Sequence, residues 1–187
     1  MQANSFQKTL LDTIKQKLFD HSACGDKNVE GTNFLLPKDL VVVAFGTPLI
    51  AGDAFAPLVA DAIRENFKLP IFVYGTTDNP INGKNMTEWL DFVKTVHKNA
   101  LFVAIDASLG LNVGGIVVRK DGVCPAAVNG KRRRFGDIGI LGVVAKNDGD
   151  ALASLLSAKF ENVQNMALDT AKLLVSCFCA PVKNVSN

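Results

Sequence analysis

The sequence predicts an α/β fold, three layers α/β/α around a mainly parallel sheet, and three observations carry that expectation. Short, continuous apolar runs rich in β-branched residues occur at Leu40–Phe45, Ile71–Tyr74 and Leu101–Ile105, the pattern of strands buried on both faces. Stretches of helical period separate them, one ending near Phe67 and one spanning Asn85–His97. The resulting order, strand–helix–strand–helix–strand, requires crossover connections and therefore parallel pairing. A chain of 187 residues suits one domain, 1–187, with residues 1–37 as an N-terminal helical extension and linker.

The elements follow in order. Phe6, Leu10, Leu11, Ile14 and Leu18 recur at helical spacing with polar residues between them, so residues 1–20 read as an amphipathic helix. Residues 21–37 are mixed and polar, a connection. After the first strand, Gly46–Asp53 is a loop, and the next helix should begin near Pro57, because proline favours the first helical position. Pro70 introduces the second strand, which ends in the turn-rich segment 75–83. Asn112–Arg119 and Ile138–Ala145 read as further strands, with the basic run Lys131–Arg134 between them. Two helices, Asp150–Ala158 and Asn162–Cys177, close the order.

Composition narrows the function. Hydrophobic residues make up 48% of the chain, too many for a largely disordered one. Twenty Lys and Arg against 18 Asp and Glu leave a formal charge of +2, which argues against nucleic acid as partner. No apolar run approaches the roughly 18 residues that cross a bilayer, so no membrane partner is expected. The amphipathic start is not a secretory leader, and a cytoplasmic location is expected. Cys24, Cys124, Cys177 and Cys179 form no CxxC pair and read as reduced thiols, without a zinc cluster. Neither a G-x-G-x-x-G nor a P-loop pattern is present, and no cofactor is expected. The sequence leaves a homo-oligomer open.

In an open parallel sheet, ligands bind outside the carboxyl ends of the strands. The first strand runs into Gly46–Asp53 and the third into Asp106-Ala107-Ser108-Leu109-Gly110, which brings Asp53 and Asp106 to one edge of the sheet. Asp106 ends an apolar run, so its carboxyl needs a partner or a raised pKa; backbone N–H bonds from its own loop are the structural alternative. Asp53 could cap a helix, but a start near Pro57 leaves it in the loop. His97, at the end of a helix and the opposite edge, should lie on the surface against the helix dipole. The run Lys131–Arg134 reads as a solvated turn, or more sharply as a contact for an acidic partner or substrate.

These residues also resemble a known family. Gly46-Thr47 followed by Gly52-Asp53-Ala54-Phe55-Ala56-Pro57 resembles the "GT…GD.LGP" signature of the YyaC-type sporulation proteins. Val73-Tyr74-Gly75-Thr76 with Pro80, then Ala104–Gly110 against "AIDA.LG", and Gly136-Asp137-Ile138 with Gly142 follow in the family's order. That family is similar to the spore germination protease and, more distantly, to hydrogenase maturation endopeptidases, which implies a phosphorylase/hydrogenase-maturation-peptidase-like fold. The resemblance puts Asp53 and Asp106 at the germination protease's two functional aspartates. In the maturation endopeptidases these sites carry acidic residues that contact nickel together with a histidine. Where a histidine would be expected this chain has Asn82 and, in the "GDIHI" segment, Gly139. Asp137 is the candidate replacement, and an all-oxygen set would favour a harder ion.

The expectation is thus a sporulation-associated peptidase of the cytoplasm, spore or forespore, acting on a peptide or protein substrate. Asp53 and Asp106 are its catalytic dyad, and Asn82, Ser108, Asn112 and Asp137 are candidates for positioning substrate. Two other readings share the fold: a non-catalytic peptide- or protein-binding member, and a metal-dependent hydrolase.

Overall fold

The computed structural model describes residues 40–125 and 134–178, together with residues 8, 9, 12, 13 and 16, which are helical. The rest of the expected opening helix, the 21–37 linker, Cys24, Lys131–Arg133 and Cys179 lie outside the described residues.

The described strands are β1 (Leu40–Ala44), β2 (Phe72–Tyr74), β3 (Leu101–Leu109), β4 (Ile116–Arg119) and β5 (Ile138–Ala145). They form one sheet in the order β2-β1-β3-β5-β4. The β1–β2, β1–β3 and β3–β5 pairs are parallel, and β4 joins β5 antiparallel at the edge. The helices are α1 (Phe55–Asn66), α2 (Met86–Val96), α3 (Ala151–Ser157) and α4 (Phe160–Phe178). The mainly parallel three-layer fold is the one the sequence predicts.

Alternation along the strands sends side chains to two cores. On one face Leu40, Val42, Val103, Ile105 and Ile140 pack against α1 and α4, through Val59 and Ile63 on α1 and Ala171 and Leu174 on α4. On the other face Val41, Val43 and Ala104 meet Met86, Leu90 and Val93 of α2. The apolar positions on both helices fall at spacings of three and four, so each presents one stripe to the sheet. Beyond α2 the second face is covered instead by the isolated bridge Val123–Phe135, whose backbone N–H groups donate to each other's carbonyls at 2.9 Å. Phe135 packs edge-on against Phe45 and Phe102, with ring centroids 5.8 and 5.3 Å away.

Four expectations are corrected. β3 does not stop at Ile105 but runs to Leu109, because β5 pairs with it as far as Ala145 opposite Leu109. α1 starts at Phe55, two residues before Pro57; a proline in the first turn forfeits no helical hydrogen bond, so it marks the start only loosely. β4 begins at Ile116, because the preceding residues turn, with Gly115 N–H donating to Asn112 O and Gly114 N–H to Val143 O. His97 is buried, at 5% exposure, and its Nε2 lies 2.9 Å from the Tyr74 hydroxyl. It does follow a helix, α2, but Phe72 and Tyr74 of β2 cover it.

Gly142 on β5 lies directly under the Phe55 ring and Met166, where a Cβ would collide. Phe55 is fully buried and has nowhere to retreat. Gly142→Ala is expected to cost about 1–3 kcal/mol as overpacking. Urea unfolding should show a lower midpoint with an unchanged slope; an unchanged midpoint would mean that this contact is slack.

Candidate active site

The site begins with a mismatch in strand length. β1 pairs with β3 up to Ala44 opposite Ile105, and Phe45 adds one bond, its N–H donating to Ile105 O at 2.8 Å. β3 continues past that point on its β5 side alone, with Asp106, Ala107 and Ser108 opposite Leu141, Gly142 and Val143. A register shift follows between Ser108 and Leu109, a bulge of the kind common beside functional sites. By alternation Asp106 and Ser108 share the face of Ala104, the α2 side of the sheet. Helix α2 covers only the β1 half of that face, so Asp106 opens into a cleft.

Asp53 comes to the same cleft from the turn after β1. Gly46, at φ +142°, lets the chain leave β1 with its backbone against the Asp53 carbonyl, a fit that no side chain at position 46 would permit. The turn is tied down by Gly46 N–H donating to Ile81 O at 2.9 Å and Gly52 N–H donating to Leu155 O of α3 at 3.0 Å. Asp53 is no helix cap: position 54 precedes α1 and makes no side-chain capping bond. Its Oδ2 instead accepts the Thr47 N–H at 2.9 Å.

The cleft holds about 560 Å³ and is lined by Asp53, Asp106, Ser108 and Asn82 together. Burial raises the pKa of Asp53, opposed by the Thr47 N–H. Asp106 is raised well above the ordinary value of 3.8, first by burial and then by the negative charge of Asp53, against a smaller opposing effect of the Ala107 N–H at 2.8 Å. Two carboxyls so placed do not ionise together cheaply, and they titrate as a coupled pair. Asn82 is fixed by its loop: its N–H donates to Asn85 Oδ1 at 2.9 Å and its Oδ1 accepts from Lys84 N–H at 3.0 Å. The Ser108 hydroxyl donates to Gly142 O over a long 3.4 Å.

Two predicted residues are not brought to the cleft. Asp137 Oδ2 accepts the Phe102 N–H at 2.9 Å while the Asp137 N–H donates to Phe102 O at 2.8 Å, which pins it at the start of β3 and β5. Phe102 is four residues before Asp106, roughly 13 Å along a strand. Asn112 is exposed in the turn before β4 and folds over Gly115. Sequence reasoning missed Arg119, Cys124, Leu152 and Leu155 as lining residues, whereas Arg134 closes the basic run already singled out. The strand register of β4 and the placement of α3 would have been needed to find them.

A nickel-type site does not fit these residues. Asp137 is remote, Asn82 is an amide, and Gly139 lies beneath the Gly122 backbone with no room for a side chain. Among the described residues no three His, Cys, Asp or Glu side chains form a group that could hold a metal ion. No described helix is long and apolar enough to cross a membrane.

Residues 9–172 match the family described as "Protein of unknown function (DUF1256)". The uncharacterized protein YyaC of Bacillus subtilis (strain 168) is 31% identical over 133 residues, which are 70% of this chain and 65% of that protein's length. The hydrogenase maturation protease HycI of Thermococcus kodakarensis KOD1 superposes with a TM-score of 0.50 at 17% identity, covering 75% of this chain and 92% of that one. A variant of peptidyl-tRNA hydrolase from Acinetobacter baumannii does so at 0.52 and 11% identity, covering 80% and 92%. At such identities the likeness is one of fold alone.

The raised carboxyl at Asp106 has a consequence for stability. A group whose folded pKa lies above its unfolded one loses stability for the fold as pH rises from the unfolded value through the folded one. Asp106→Asn should therefore gain on the wild type progressively as pH rises above 3.8, and show no such trend below it. Denaturation midpoints across pH 3 to 8 would check this, and a difference independent of pH would contradict the burial of that charge.

Proposed function

This chain belongs to the DUF1256 family, and from that premise we propose that it hydrolyses peptide bonds with Asp53 and Asp106 as an acid–base pair. The observation that carries the reading is the Asp106 carboxyl, raised by burial and by the neighbouring Asp53 in a cleft open to a ligand. In this reading the pair shares one proton, held on Asp106, the more strongly raised of the two through burial and the Asp53 charge, while Asp53 carries the negative charge.

The division of labour follows from that asymmetry. Asp53 takes a proton from water as its oxygen attacks the scissile carbonyl carbon. Asp106 gives its proton to the carbonyl oxygen, and a neutral tetrahedral diol forms. As the C–N bond breaks, Asp53 passes the proton it took from water to the leaving nitrogen and one hydroxyl of the diol returns a proton to Asp106, which yields a carboxylic acid and an amine and restores the starting state. Asn82 and Ser108 stand where they can hydrogen-bond the substrate backbone. The fold is shared with a protease and with a hydrolase of peptidyl-tRNA, so the reaction is argued from the carboxyl pair and not from the fold. A sporulation setting, in the cytoplasm of the sporulating cell or forespore, belongs to the same proposal and rests on the resemblance to YyaC-type proteins.

Incubation of the purified protein with a mixed peptide library, read by mass spectrometry, tests the reading. Cleavage is expected, with Asp53→Asn and Asp106→Asn each slowing it by about 10²- to 10⁴-fold while circular dichroism stays native. Activity should rise and fall with pH between limbs that both lie above the ordinary carboxylate range, because both groups are raised. EDTA should leave the rate unchanged. Full activity in either folded variant would remove the pair from the mechanism, and binding without any turnover would make the cleft a recognition site.

A further inference from the structure

The half of the sheet face that α2 leaves uncovered carries charge of the opposite sign. Ile116 and Val118 of β4 pack into the α1/α4 core, so Val117 and Arg119 project to the Asp106 face. Register places Val117 opposite Leu141, the residue that also faces Asp106. Arg134 reaches the same cleft from the strap closed by the Val123–Phe135 bridge, one residue before Phe135. Both arginines line the cavity that holds the carboxyl pair.

Arg134 already holds a carboxylate. Its Nη1 lies 2.9 Å from Asp121 Oδ2, in a pair whose side chains are 45% and 61% exposed. An ion pair that open to water is weak and easily exchanged. Arg119 has no ion-pair partner among the described residues. Two guanidiniums, one unengaged and one resting on a displaceable carboxylate, suit the planar, bidentate recognition of an incoming carboxylate.

We propose that Arg119 and Arg134 form a carboxylate-binding subsite of the cleft, in which Asp121 stands in for the ligand's own acidic group until a ligand displaces it. The class of ligand is thereby a peptide segment bearing a carboxylate, from an acidic side chain or from a chain terminus, laid across the β3–β5–β4 face toward Asp106. The inference rests on the reading of the cleft as a peptide site, and it specifies what that peptide carries.

Equilibrium binding separates the two ideas. Four fluorescein-labelled decapeptides of one sequence, with Glu or Gln at the centre and a free or amidated carboxyl terminus, are titrated into the folded, slow Asp106→Asn protein. One acidic form is expected to bind about tenfold more tightly than its neutral counterpart, and which one it is distinguishes side chain from terminus. Arg119→Gln with Arg134→Gln should abolish the difference without weakening the neutral peptides, and Asp121→Asn should enlarge it by removing the competitor. The preference should shrink as salt rises. Equal affinity for all four peptides overturns the subsite and leaves the peptide cleft standing. Failure of all four to bind overturns both.

Discussion

One strand outruns its neighbour, and the cleft depends on it. β1 stops at Ala44, opposite Ile105, whereas β5 accompanies β3 to Leu109. The two strands do not end together, so position 106 has a strand partner on its β5 side alone, and its carboxyl stands on the part of the face that α2 leaves open. Because they do not, the chain leaving β1 can fold back over the gap, and Gly46 permits the turn that delivers Asp53. The loop 46–53 is then locked to Ile81 ahead of α2 and to Leu155 in α3, so elements remote in sequence fix the loop that carries Asp53.

The electrostatics follow from that geometry. A carboxyl held half-buried on a sheet face, beside a second one, is driven toward its neutral form. The asymmetry within the pair comes from burial and charge: each carboxyl accepts one backbone N–H, but Asp106 is raised further, first by its burial and then by the charge of Asp53. A site with one carboxylic acid and one carboxylate can donate and accept a proton within the same encounter.

The layers, the strand order along the chain and the Asp53–Asp106 pair were legible because each leaves a local trace. Continuous β-branched runs mark buried strands, and both aspartates follow such runs directly or within one loop. What was not legible depends on pairing. The length of β3 past Asp106 is decided by β5, which lies more than thirty residues on in the chain. Asp137 sits next to a strand start rather than a strand end, and only the parallel register shows that this puts it at the far edge from Asp106. His97 has the sequence environment of a surface helix end, but the short β2 and its aromatic residues bury it. Arg119 looks like the polar end of a strand until the antiparallel register of β4 sets it on the face of the cleft.

The central claim is that burial, and after it the charge of Asp53, hold the Asp106 carboxyl well above the ordinary carboxylate range. The most direct measurement is the titration of its side-chain carboxyl carbon by NMR, in the wild type and in Asp53→Asn. The account predicts a midpoint well above 3.8 in the wild type, lowered by removal of the Asp53 charge yet still raised, since burial is the larger cause. A midpoint in the ordinary carboxylate range, indifferent to the loss of Asp53, would contradict it.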